Sequence, residues 1–115
     1  MLVLLGGRVC HASDSTGRYA TYGVKTCWDY IVWLDIGNSA EFDKLESWVS
    51  GYVTAYNRQT PDTITVLGDQ DTKAAMGWLA RWCRANPKAT MDTAMQALTE
   101  VYHPHRYRTV EDSKK

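Results

Sequence analysis

Cys27 and Cys83 each fall on the apolar face of a predicted short helix, and this placement constrains the fold more than any other feature of the chain. Cys83 closes the stripe in Trp78-Leu79-Ala80-Arg81-Trp82-Cys83-Arg84-Ala85-Asn86-Pro87, one turn before a proline stop. Two inward-facing cysteines read as the ends of one clamp across a small helical domain, or as two buried free thiols. A clamp between them would stabilise the fold by roughly 4 kcal/mol in the chain-entropy account. With 115 residues, the chain has room for one domain and a modest core, a size at which such a staple matters.

The helices follow from periodicity. Thr26 is placed to cap a helix with Asp29 in its first turn and Cys27, Tyr30, Ile31 and Leu34 on one face. Tyr30-Ile31-Val32-Trp33 also suits a strand, and Gly37-Asn38-Ser39 ends the element in either case. The clearest helix starts near Ala40 and carries Phe42, Leu45, Trp48, Val49, Tyr52, Val53 and Tyr56 at helical spacing, ending near Asn57. Pro61-Asp62 opens a connection in which Ile64-Thr65-Val66-Leu67 is a short extended stretch closed by Gly68.

Asp69 or Asp71 caps the next helix, with Ala75, Trp78, Leu79, Trp82 and Cys83 on its stripe and an end near Asn86. From the Thr90 cap, Met91, Ala94, Met95, Leu98, Val101 and Tyr102 mark the last helix, which His103-Pro104 ends. The expected class is all-α, a compact bundle of about four helices with one disulfide and at most one short extended segment. Residues 26–103 form the helical domain, 13–25 a polar, flexible lead-in and 104–115 a polar tail that frays.

Thirteen basic residues balance thirteen acidic ones, leaving no electrostatic footprint for nucleic acid or an anionic membrane at neutral pH. In strong acid, thirteen Lys and Arg and three His bring the charge to about +16. Residues 1–12 hold an apolar run followed by small residues, as at the end of a secretory signal, with a cut after Ala12 expected; an ordinary N-terminal segment is the alternative. Removal of Cys10 with that segment would leave an even pair, Cys27 and Cys83, suited to an oxidising compartment. No stretch has the 18 or so apolar residues of a transmembrane helix.

No catalytic constellation stands out. His103 and His105 flank Pro104, yet two donors do not make a metal site, and no C-x-x-C pair supplies the rest. No nucleophile elbow or phosphate loop is visible. The acidic pairs Glu41/Asp43 and Asp69/Asp71 lie at helix starts, where the helix dipole alone favours them. The expectation is therefore no enzyme, no cofactor and no metal, with protein binding as the role. Trp48, Trp78 and Trp82 fit core stripes, whereas Trp28 and Trp33 fall off the Cys27-Tyr30-Ile31-Leu34 face. Those two are the candidates for an exposed binding patch or a homodimer contact, with a core or edge role as the alternative.

Thr26-Cys27-Trp28-Asp29-Tyr30 resembles the opening motif of the HdeA/HdeB family of periplasmic acid-stress chaperones. Asp62-Thr63-Ile64-Thr65-Val66 is similar to that family's central connection, and Trp82-Cys83-Arg84-Ala85-Asn86-Pro87-Lys88 to its Cys-basic-Asn-Pro stretch. The resemblance spans roughly residues 26 to 102. It implies a small periplasmic helical fold with Cys27 and Cys83 as the disulfide, and apolar surface kept in a dimer at neutral pH and exposed in acid. The aromatic helix Trp48–Asn57 departs from the pattern. A looser resemblance, carried by Gly51-Tyr52 and by Cys83 before Asn86-Pro87, is to the Rap/Tai immunity proteins, which implies binding and blocking of a cell-wall-degrading effector.

Overall fold

The computed structural model describes residues 13–115; the leader expectation for residues 1–12, and Cys10 with it, lies outside them. Thr26 starts the first helix, α1 (Cys27–Ile36), from an extended conformation. Its hydroxyl accepts from the Asp29 N–H at 3.1 Å, and the Asp29 carboxylate accepts from the Thr26 N–H at 3.2 Å. This reciprocal cap satisfies two helix-end donors, and it holds in helix a segment whose Tyr30–Trp33 run favours strand. Gly37, at φ +70°, ends α1 in the left-handed conformation that a side chain would oppose.

The next residue, Asn38, caps α2 (Ser39–Gln59) by accepting from the Glu41 N–H at 3.2 Å. The helix therefore begins one residue before Ala40. It also runs two residues past Asn57. The Asn57 side chain reaches across instead, where its Oδ1 accepts from the Val66 N–H at 2.7 Å and pins the returning chain against the helix. Asp71, rather than Asp69, caps α3 (Thr72–Ala85) through the Ala74 N–H at 2.8 Å. Thr90 caps α4 (Met91–Tyr102), accepting from the Thr93 N–H.

The four helices share one core. Leu45, Val49 and Val53 of α2 meet Ala75, Met76, Leu79 and Cys83 of α3 and Met91, Ala94, Met95 and Leu98 of α4. Leu79, Met91, Met95 and Leu98 are wholly buried, each contributing roughly 1.5–3 kcal/mol by leaving water. Tyr30 enters from α1, and its buried hydroxyl donates to the Met76 carbonyl at 2.8 Å, which makes its burial tolerable. The chain is all-α, as its stripes imply, and among the described residues no strand forms. The short extended stretch comes down to a single antiparallel bridge, Thr65 to Tyr107.

Cys27 and Cys83 are joined in a disulfide, both fully buried, linking the start of α1 to the end of α3. Cys83 Sγ packs 3.6 Å from Met91 Sδ, a sulfur–sulfur contact, since a disulfide sulfur has no proton to donate. A second antiparallel bridge, Thr26 to Thr90, reinforces this corner: Cys27 N–H donates to the Ala89 carbonyl at 2.8 Å and Met91 N–H to the Lys25 carbonyl at 2.7 Å. The starts of α1 and α4 and the end of α3 thus meet at one covalently closed point.

The polar tail is bonded back rather than loose as far as Tyr107. Arg106 Nε donates to the Asp62 carbonyl and Thr63 Oγ1 at 3.1 and 3.0 Å, and Tyr107 exchanges backbone bonds with Ile64 and Thr65. The fit is close at Gly68, where φ is +62° and a Cβ would lie 2.6 Å from the His105 carbonyl oxygen. Only glycine allows that approach.

Candidate protein-binding surface

Helix α1 is apolar on both sides, which is unusual for a surface helix of its length. Its capping box fixes the phase: Cys27, Tyr30 and Ile31 turn inward, so Trp28, Val32 and Ile36, at i, i+4 and i+8, line the outer side. Trp28 is 62% exposed and Ile36 69%, with Val32 half-buried between them. The Trp28 N–H donates to the Pro87 carbonyl at 3.1 Å, so the backbone at this end is held while the indole faces solvent. An ion pair, Arg84 to Asp35 at 3.0 Å, borders the stripe. Both partners are more than half exposed, so the pair frames the surface more than it stabilises the fold.

Trp33 does not share that stripe. It lies about 140° around the helix from Trp28 by helical geometry, half-buried against the core. It forms the wall between two shallow grooves. One, of about 160 Å³, is lined by Leu34, Asn38 and Phe42 at the α1–α2 junction. The other, of about 180 Å³, lies between Gly23 and Lys25 on one side and Lys44 and Trp48 on the other. The two tryptophans singled out by sequence therefore sit on different surfaces, and Trp28 is the solvent-facing one.

Sequence periodicity assigns the aromatic residues of α2 to the core; the structure leaves them half-buried. Trp48 and Tyr52 pack with ring centroids 5.6 Å apart, and Tyr56 sits edge-on to His103, its hydroxyl 2.8 Å from Nδ1. Burial pushes the Tyr52 hydroxyl up to about 12. Beyond Tyr52, with Ala55, Tyr56 and Gln59, the stripe opens as an apolar depression of about 240 Å³. The lead-in crosses its other end, a placement no local pattern announces; its only sequence sign is Tyr19 and Tyr22 within a polar segment.

A further cleft of about 310 Å³ lies between the turn before α3 and the end of α4, lined by Leu67, Asp69, Trp78, Tyr102 and His105. Trp78 and Tyr102 meet edge to face there, with centroids 6.4 Å apart. The acidic residues at helix starts act as caps and first-turn charges: Asp71 accepts from Ala74 and Glu41 lies in the first turn of α2. Among the described residues no group of three or more His, Cys, Asp or Glu is arranged to hold a metal ion. No described helix is long and apolar enough to cross a membrane. Comparison with protein-family models, curated proteins and solved structures finds no match to this chain.

Proposed function

We propose that the chain is a non-enzymatic, exported protein-binding protein that works through the outer face of α1. The observation that carries this reading is the pair Trp28 and Ile36, large apolar side chains held in solvent by a helix whose opposite face is fixed in the core by a disulfide. Such a face has an energetic reason to be covered, since burying each side chain contributes roughly 1.5–3 kcal/mol. In the acid-stress chaperone form of the proposal, a second copy covers it at neutral pH and acid releases it to unfolding clients. In the immunity form, one specific effector covers it at neutral pH.

The test is suppression of aggregation of an acid-sensitive client by the purified protein lacking residues 1–12, at pH 2 to 3 and at pH 7, alongside Trp28→Ala/Ile36→Ala. Suppression in acid that drops several-fold in the double variant supports the chaperone form. Activity at neither pH shifts the proposal to a dedicated partner. A double variant as active as the parent in acid removes α1 as the working face.

A further inference from the structure

Residues 18–24 cross the start of the α2 aromatic stripe as a band of irregular chain. Three contacts hold it. The Tyr19 hydroxyl donates to Asp92 Oδ2 at 2.7 Å and accepts from Gln96 Nε2 at 2.7 Å, hooking the band to α4. The Tyr22 carbonyl accepts from the Trp48 indole Nε1–H at 3.2 Å, and Val24 is half-buried against the core. Tyr19 and Tyr22 themselves are 55% and 85% exposed, so the band buries little of its own apolar surface. Beneath its end, between Gly23 and Trp48, lies the groove of about 180 Å³, so the band covers the stripe without packing tightly onto it. A segment with few buried contacts and exposed hydrogen bonds opens at low cost.

We propose that residues 18–24 form a releasable strap, and that its release opens the Trp48–Tyr52 end of the stripe to an extended segment of another protein. The strap shows what such a segment would use. A backbone carbonyl meets the Trp48 indole N–H, and an aromatic hydroxyl meets Asp92 and Gln96. Release also joins the covered end to the depression already open at Ala55 and Tyr56, giving one apolar track along α2. Opening stops at Val24, because Lys25 and Cys27 are bonded to Met91 and Ala89. The strap's release stands on its own; only its use by a protein partner rests on the protein-binding reading above.

The Trp48 indole N–H reports the strap directly, and its hydrogen exchange can be followed by NMR in the full chain. Tyr19→Phe removes the hook, and Gly23→Val places a β-branched residue at φ +69°, which the strap's path requires and valine resists. Each variant is expected to speed Trp48 indole exchange by about tenfold, with the amides of Leu79 and Leu98 unchanged. A synthetic peptide of residues 16–25, added in trans, is then expected to shift the Trp48 and Tyr52 signals of the variants at about tenfold lower concentration than those of the parent. Exchange unchanged in both variants, or rising only together with Leu79 and Leu98, overturns the strap. No peptide-induced shift in either variant overturns its use as a docking track. A chain that passes both tests yet suppresses no client aggregation leaves the strap standing and removes the chaperone form of the function proposed above.

Discussion

Opening the Cys27–Cys83 bond is the perturbation whose size follows most directly from the structure. The two residues are separated by 56 in sequence. Closing a loop of that length removes about 14 cal/mol/K from the unfolded ensemble, or about 4 kcal/mol at 25 °C. A domain of this size has a total stability of about 5–15 kcal/mol, so the bond accounts for a large fraction of it. With a urea slope of about 1.5 kcal/mol/M, the unfolding midpoint should fall by roughly 3 M.

Two versions of the experiment separate the causes. Reduced protein keeps both sulfur atoms and loses only the link, so its deficit is mainly the unfolded-state term. Cys27→Ala/Cys83→Ala also removes buried atoms packed against Met91 and should lose about 1–2 kcal/mol more. The slope should rise in both, since an open unfolded chain exposes more surface. Equilibrium urea melts of oxidised, reduced and alanine forms, read by far-UV circular dichroism, give all three quantities. A reduced chain within 1 kcal/mol of the oxidised one would refute the argument that the staple acts through chain entropy.

Gly68→Ala should destabilise by about 2–4 kcal/mol, combining a left-handed backbone with a Cβ 2.6 Å from the His105 carbonyl oxygen; a urea midpoint equal to the parent's would show that the turn moves freely. Tyr30 and Tyr52 are both pushed up to about 12 by burial, from 10.0. Because the folded values are raised, their contribution is fully present below pH 10 and is lost as pH rises from 10 to 12. An ultraviolet phenolate titration of the seven tyrosines should therefore show a late-ionising fraction in folded protein that vanishes in urea. A single common ionisation near pH 10 in the folded chain would contradict it.

The sequence made helices legible where one periodic face meets the core and a cap marks the start. Leu45, Val49 and Val53 on α2, Ala75, Leu79 and Cys83 on α3, and Ala94, Met95 and Leu98 on α4 are all buried as their spacing implies. Thr26 and Thr90 cap where their type and position suggest. For α1 the β-favouring run Tyr30–Trp33 left strand open, and the cap at Thr26 and the left-handed Gly37 decide for helix. Contacts between distant side chains left no periodic trace. Asn57 reads as a helix stop but binds the Val66 N–H, and Arg106 belongs to a polar tail but bonds to Asp62 and Thr63. The surface was half legible: phase alone takes Trp28 and Trp33 off the core face, but only the folded chain brings Phe42 and Trp48 beside Trp33.

The arrangement of stabilising contacts bears on how such a chain would respond to acid. Among the described residues no carboxylate is buried; the buried polar side-chain groups include the hydroxyls of Tyr30 and Thr99. The carboxylates with structural roles lie at the edges, as Asp29 and Asp71 in caps, Asp92 under the strap, and Asp35 and Glu41 in exposed ion pairs. Hydrogen bonds hold Asp14 and Asp112 below the usual carboxylate range, so what they add is present above that range and lost as pH falls through their lowered values. Acid therefore loosens the turn at Asp14 and the tail at Asp112, while net charge climbs toward about +16. The disulfide and the Thr26–Thr90 bridge sit at the corner where α1, α3 and α4 meet, and the covalent link does not titrate. In the chaperone form of the proposal, opening would run from the edges inward against that fixed corner and uncover the α2 aromatics ahead of Leu79 and Leu98, while the chain keeps its helical connectivity.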